Sequence, residues 1–136
     1  MQSLKTYIVE DSPIILDNLV ATLQEMSPVQ VIGSAADEHT AVQWLLQPGN
    51  ECDLIVIDIF LKSGSGLGVL ASAAKAGLRG KRVVLTNYAS PDMRRRCHDL
   101  GAHRVFDKSS EVEELVAYCA RVAEGGGDST HGELSD

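Results

Sequence analysis

An α/β fold, one parallel sheet of five strands covered on both faces by five helices, follows from three observations. Short β-rich runs alternate along the chain with stretches of helical apolar spacing. Two of those runs, Ile55–Ile57 and Val83–Leu85, are apolar without interruption, as strands buried on both sides require. Capping residues and helix-stopping residues fall between the two kinds of segment.

Taken in order, the first strand is predicted over Leu4–Glu10, "LKTYIVE". A helix follows, with Leu16, Leu19, Val20 and Leu23 on one face. Ser12 before Pro13 supplies a capping hydroxyl and a proline at the first helical position. Pro28 stops that helix before the second strand, Val29–Ala35. A short helix over Ala41–Leu46 precedes the Pro48-Gly49 break, and Trp44 should pack from it onto the sheet. The third strand is Asp53–Asp58, and Leu67, Leu70, Ala71 and Ala74 mark the third helix, ended by Gly77. Lys81–Asn87 is the fourth strand. Ser90-Pro91 repeats the cap before a helix over Met93–Leu100, where Arg94-Arg95-Arg96 reads as a solvated face, and Gly101 ends it. His103–Lys108 is the fifth strand. Val112, Leu115, Val116 and Cys119 outline the last helix, with Ser110 and Glu113 at capping-box spacing.

Composition narrows the function classes. A length of 136 residues suits one domain with a sizeable core, and 44% hydrophobic with 23% charged residues is ordinary for a globular protein. The net charge of -7 argues against direct nucleic-acid binding, which needs a basic surface. The opening "MQSLKTYIVEDSP" lacks an apolar signal core, and no run reaches the roughly 18 apolar residues of a membrane span. Cys52, Cys97 and Cys119 are scattered, with no C-x-x-C pair, and read as thiols in a reducing cytoplasm. None of His39, His98, His103 and His131 shows ligand spacing. From Gly125 to Asp136 the chain turns glycine-rich and polar, as a flexible tail or linker would, leaving residues 1–124 as the one domain.

The strand ends carry the chemistry. In an open α/β sheet, ligands bind beyond the carboxyl ends of the strands, where the strand order reverses. Those ends hold Glu10-Asp11, Asp58, Thr86 and Asp107-Lys108. Each residue alone has an ordinary reading as a cap, turn or solvated charge; together they place several acids, a hydroxyl and an ammonium on one rim. Clustered carboxylates repel, and a hard divalent cation relieves them; an oxygen donor set with few protein ligands suits Mg²⁺. One carboxylate can then act as a nucleophile toward phosphorus. Lys108 would neutralise incoming phosphoryl oxygens, Thr86 would donate a hydrogen bond to one, and the loop after Asp58 would offer backbone amides.

This set resembles the response-regulator receiver domain of two-component signal transduction, over about Leu4 to Ala123, with Gly66 and Gly101-Ala102 also matching its pattern. The resemblance implies a flavodoxin-like doubly wound sheet in the order 2-1-3-4-5. It implies that Asp58 is the phosphoacceptor, that Asp11, Asp58 and the main-chain carbonyl of Phe60 ligate Mg²⁺, and that Glu10 holds a metal-bound water. Thr86 is similar to the switch hydroxyl and Lys108 to its charge partner. The implied donor is a sensor histidine kinase or histidine phosphotransfer protein, and the responding face is the fourth helix, fifth strand and fifth helix. The implied output is a downstream protein or a C-terminal output domain, with phosphorylation-dependent homodimers as one route to it. Such a domain is a regulatory switch that catalyses only its own phosphorylation and slow dephosphorylation. Phe60 and Tyr88 fall where the family flanks the path of attacking water, so a persistent phosphoryl group is expected.

The chain departs from the family pattern at four places: Lys62 and Ser109 where prolines are common, Val105 where the switch aromatic usually stands, and Asn87 where a small residue is usual. Two other functions remain open at this point. One is an aspartate-nucleophile phosphatase of the haloacid-dehalogenase type, although Phe60 occupies the place of its second acid. The other is a receiver-like binding module that is never phosphorylated. A dinucleotide site at "GSGLG" is excluded, because the loop follows the third strand and Val69 stands where the last glycine belongs.

Overall fold

The computed structural model describes residues 3–125. Its elements are β1 (Leu4–Val9), α1 (Pro13–Met26), β2 (Val29–Ala35), α2 (Glu38–Leu45), β3 (Leu54–Ile57), α3 (Gly66–Lys75), β4 (Lys81–Thr86), α4 (Pro91–Asp99), β5 (Arg104–Asp107) and α5 (Val112–Ala123). All strand pairs are parallel, and the sheet order is β2-β1-β3-β4-β5. The order reverses between β1 and β3. The tail predicted from Gly125, and His131 with it, lies outside the described residues beyond that glycine.

Side-chain alternation along each strand divides the core into two layers. Tyr7, Val9, Ile55, Ile57, Val84 and Val105 face α2, α3 and α4. Leu4, Ile8, Leu54, Val56, Val83, Leu85 and Phe106 face α1 and α5. All four residues of β3 are buried, which is why its sequence shows no polar alternation. Each such aliphatic side chain contributes about 2 kcal/mol on burial. Trp44 stacks on Tyr7 with ring centroids 4.1 Å apart, packing α2 on the sheet as expected.

Helix starts follow the sequence where a hydroxyl precedes proline. Ser12 Oγ accepts the Ile15 amide at 3.3 Å, and Ser90 Oγ accepts that of Met93 at 3.1 Å. Two expectations need correction. Helix α2 begins at Glu38 rather than Ala41, because the Asp37 carboxylate caps it through the Thr40 amide. The Ser110–Glu113 capping box does not form. Asp107 Oδ1 takes the Ser109 and Ser110 amides, and Glu111 stands at the N-cap of α5 without a side-chain cap bond.

Two buried groups, Tyr7 and Cys119, and the half-buried Cys52 give the fold an alkaline limit. Burial pushes the Tyr7 phenol up to about 12, the Cys52 thiol to about 11 and the Cys119 thiol to about 12. In the unfolded chain these groups ionise near their ordinary values, 10.0 for the phenol and 9.0 for the thiols. The unfolded state therefore loses protons first, so their contribution is full below about pH 9 and declines as pH rises toward about 12. Urea midpoints should hold through neutral pH and fall steadily above about pH 9; a flat profile there would contradict the burial of these groups.

Candidate functional site

Strand register assembles the rim. Val9 pairs with Ile57, and the Asp58 amide donates to the Val9 carbonyl at 2.9 Å, so Glu10 and Asp58 leave adjacent strands side by side. Thr86 pairs with Asp107, and the Lys108 amide donates to the Thr86 carbonyl at 2.8 Å. The chain then needs only a long side chain to close the gap. Lys108 Nζ donates to Glu10 Oε1 at 2.9 Å and to Asp58 Oδ2 at 3.0 Å.

Glu10, Asp11 and Asp58 each bring a carboxylate oxygen within 4.8 Å of the others. Glu10 and Asp58 are buried and Asp11 is half-buried. The second oxygen of Glu10 accepts the Ser12 amide at 3.0 Å, which fixes that side chain from the start of α1. Burial raises the Asp58 carboxyl above its ordinary range, against the opposing hydrogen bond and charge of Lys108 and a further hydrogen bond from the Phe60 amide. Burial alone would lower the Lys108 ammonium, but its hydrogen bonds and attraction to Glu10 and Asp58 win, and it stands above its usual value. Lys108 thus bonds to two of the three acids. The three carboxylates form an all-oxygen donor set of the kind a hard cation takes.

Thr86 is fully buried at the end of β4, and its Oγ1 accepts the Tyr88 amide at 3.2 Å, leaving the hydroxyl hydrogen for another acceptor. Phe60 lies two residues past Asp58 in the β3–α3 loop. Its ring meets Tyr88 edge-to-face at 4.8 Å, with 52% and 63% of the two residues exposed. This aromatic pair joins the two loops that leave β3 and β4 at the rim. Asn87 is exposed to solvent rather than directed into the core.

The loop following Asp58 answers to sterics. A Cβ on Gly66 would stand 2.8 Å from both the Asp58 carbonyl carbon and Ile59 Cα, while the Gly66 amide donates to the Ile59 carbonyl at 2.8 Å. Only glycine lets the chain fold back so closely on the acid.

The positions equivalent to a switch aromatic are also resolved. Val105 is buried against Cys97 and Ala102 on the α4 side, whereas Phe106 points to the opposite layer and meets Tyr118 at 5.9 Å. Arg94, expected on a solvated face, instead fastens α4 inward. It donates to the Ala89 and Val105 carbonyls and to Glu111 Oε1, each at 2.9 Å. The basic run carried no signal for this, since Glu111 lies 17 residues away.

A family model for the response regulator receiver domain matches residues 6–120. The chain belongs to that family. It is 30% identical over 113 residues to the transcriptional regulatory protein YvfU of Bacillus subtilis, covering 83% of this chain and 56% of the relative. Among solved structures it is similar to the isolated receiver domain of RcsB from Salmonella enterica serovar Typhimurium with phosphomimetic BeF3⁻. The TM-score is 0.79 at 20% identity, over 98% of this chain and 97% of that one. It is also similar to a Burkholderia pseudomallei response regulator with a phosphorylated aspartic acid, a calcium ion and citrate. There the TM-score is 0.74 at 21% identity, over 90% and 70% of the two chains. The chain spans about half the length of the curated relatives it matches. Receiver domains are regulatory modules of two-component systems, so neither the dehalogenase-type phosphatase nor the receiver-like binding module that is never phosphorylated is favoured. Among the described residues no helix is long and apolar enough to cross a membrane.

Proposed function

We propose that this receiver domain is a phosphorylation switch in which Asp58 takes a phosphoryl group from a phosphohistidine on a sensor kinase or histidine phosphotransfer protein. The observation that carries the reading is the Lys108 ammonium held between Asp58 and Glu10 while Asp11 closes the acidic cluster. In the transfer an Asp58 oxygen forms a bond to phosphorus as the phosphorus–nitrogen bond breaks, and the departing imidazole keeps the electron pair. Lys108 sits where it can follow the charge from carboxylate to phosphoryl oxygens, and Thr86 can offer its hydroxyl hydrogen to one of them. Bound by Asp11, Asp58 and the Phe60 carbonyl, with Glu10 on a metal water, Mg²⁺ would supply charge neutralisation at the phosphoryl oxygens.

The added group brings a charge of about -1.5 to -2, enough to draw Thr86 and Lys108 toward it and to bias the face built by α4, β5 and α5. A partner protein or an output domain beyond residues 1–124 would read that change, and pairing of two phosphorylated copies is one form of it. The domain itself contacts no nucleic acid in this reading, and its place is the cytoplasm with its donor. Residues 125–136 serve as linker or tail.

Incubation with acetyl phosphate and Mg²⁺ should add one phosphoryl group by intact mass, and EDTA should prevent it. The label should then persist for many minutes, because Phe60 and Tyr88 present rings and no general base beside the site. No uptake by the parent protein would overturn the switch reading, and decay within seconds would remove the shielding role of the ring pair.

A further inference from the structure

The geometry points to Glu38 as a positioning residue for the acceptor site: from the start of α2 it grips the loop between Asp58 and α3 and so keeps Phe60 against the Asp58 carboxylate. This rests on the assignment of Asp58 proposed above. By its place in the sequence Glu38 is only an acid in the first turn of a helix, where negative charge is favourable. In the folded chain it works on another element. Its Oε1 accepts the Ser65 amide at 2.9 Å, and its own amide donates to the Ser63 carbonyl at 3.2 Å.

Two glycines are cut to this side chain. A Cβ on Gly64 or on Gly68 would stand 2.7 Å from Glu38 Oε1. Gly64 also has φ of +78°, so loop conformation gives it a second reason. Gly68 has none: it lies inside α3, where glycine is a poor helix former. Room for the Glu38 carboxylate accounts for it. The grip then passes to the acid through short links. Ser65 forms a bridge with Phe60, whose backbone amide lies close enough to the Asp58 carboxyl to favour its ionised form. Phe60 also supplies the carbonyl assigned to the metal, so a loosened Ser65 would blur both contacts.

Glu38→Ala, Glu38→Gln, Gly68→Ala and the Glu38→Ala/Gly68→Ala double variant test this by Mg²⁺ titration, thermal melting and amide exchange. In metal-free protein, Glu38→Ala should raise exchange at Ser65 by about tenfold, since the hydrogen bond protecting it is gone. Mg²⁺ binding should weaken by about tenfold in Glu38→Ala, as for other outer groups that orient a metal ligand, and Glu38→Gln should retain most of the affinity. Gly68→Ala should push the carboxylate out and weaken Mg²⁺ similarly without lowering the melting temperature, because alanine favours the helix. The double variant should match Glu38→Ala within about twofold, since both changes break one contact.

Mg²⁺ affinities in Glu38→Ala and Gly68→Ala that stay within about twofold of the parent overturn the positioning role, whatever the melting temperatures do. Additive losses in the double variant overturn the shared contact. If the parent itself binds no Mg²⁺, the switch reading fails separately, and exchange at Ser65 alone decides whether Glu38 grips the loop.

Discussion

Asp58→Asn should lose phosphoryl uptake from acetyl phosphate by at least about 10³-fold while remaining folded. The amide matches the carboxylate in shape but has no anionic oxygen to attack phosphorus. The fold survives because Asp58 is a costly charge rather than a structural anchor. Burial already disfavours its ionised form, and Lys108 keeps Glu10 as a partner at 2.9 Å after the substitution. A stability change within about 1 kcal/mol is expected by urea unfolding. Undiminished labelling would move the acceptor to another acid of the cluster and sink the assignment of Asp58.

Gly66→Ala is the second large effect, and it acts through the backbone. The new methyl would press on the Asp58 carbonyl carbon and Ile59 Cα, both 2.8 Å away and neither able to swing aside like a side chain. Relief means opening the loop, which breaks the hydrogen bond from the Gly66 amide to the Ile59 carbonyl and moves Phe60 relative to Asp58. The expected loss is about 3 kcal/mol of stability, at the upper end of overpacking costs, with Mg²⁺ affinity falling as well. Parent-like urea unfolding would mean that the loop is free to lie elsewhere.

These two residues show what the chain discloses by itself. Asp58 is conspicuous because an acid closes an all-apolar strand, and Gly66 because its place past that acid matches the receiver pattern the chain resembles. Strand identity was equally plain, although β1 and β3 end one residue earlier than expected, at Val9 and Ile57. The acids beyond those ends remain at the rim, so the small boundary error left the site intact. Helix starts were legible where Ser-Pro announces them. They were not at α2 and α5, where the acids Asp37 and Asp107 bind nearby amides.

Arg94 and Glu38 were hidden for a different reason. Both bear charges on helices, where the ordinary expectation is solvent. Their partners, Glu111 at one and Ser65 at the other, lie 17 and 27 residues away and become neighbours only when helices pack on the same sheet. Likewise Phe106 is adjacent to Val105 in sequence, yet strand alternation sends it to the opposite layer.

The order of apolar runs, caps and acids along the chain was enough to predict the five-stranded sheet and the rim residues, and those residues carried the resemblance to receiver domains. Those features depend on local periodicity and on which residue types stand at strand ends, both of which a linear pattern records. The Lys108 bridge from Asp58 to Glu10, the Phe60–Tyr88 pair and the hold of Glu38 on its loop were decided by tertiary structure alone. Each depends on angstrom-scale separations between segments far apart in sequence, which arise only once the sheet register and the helix packing are set.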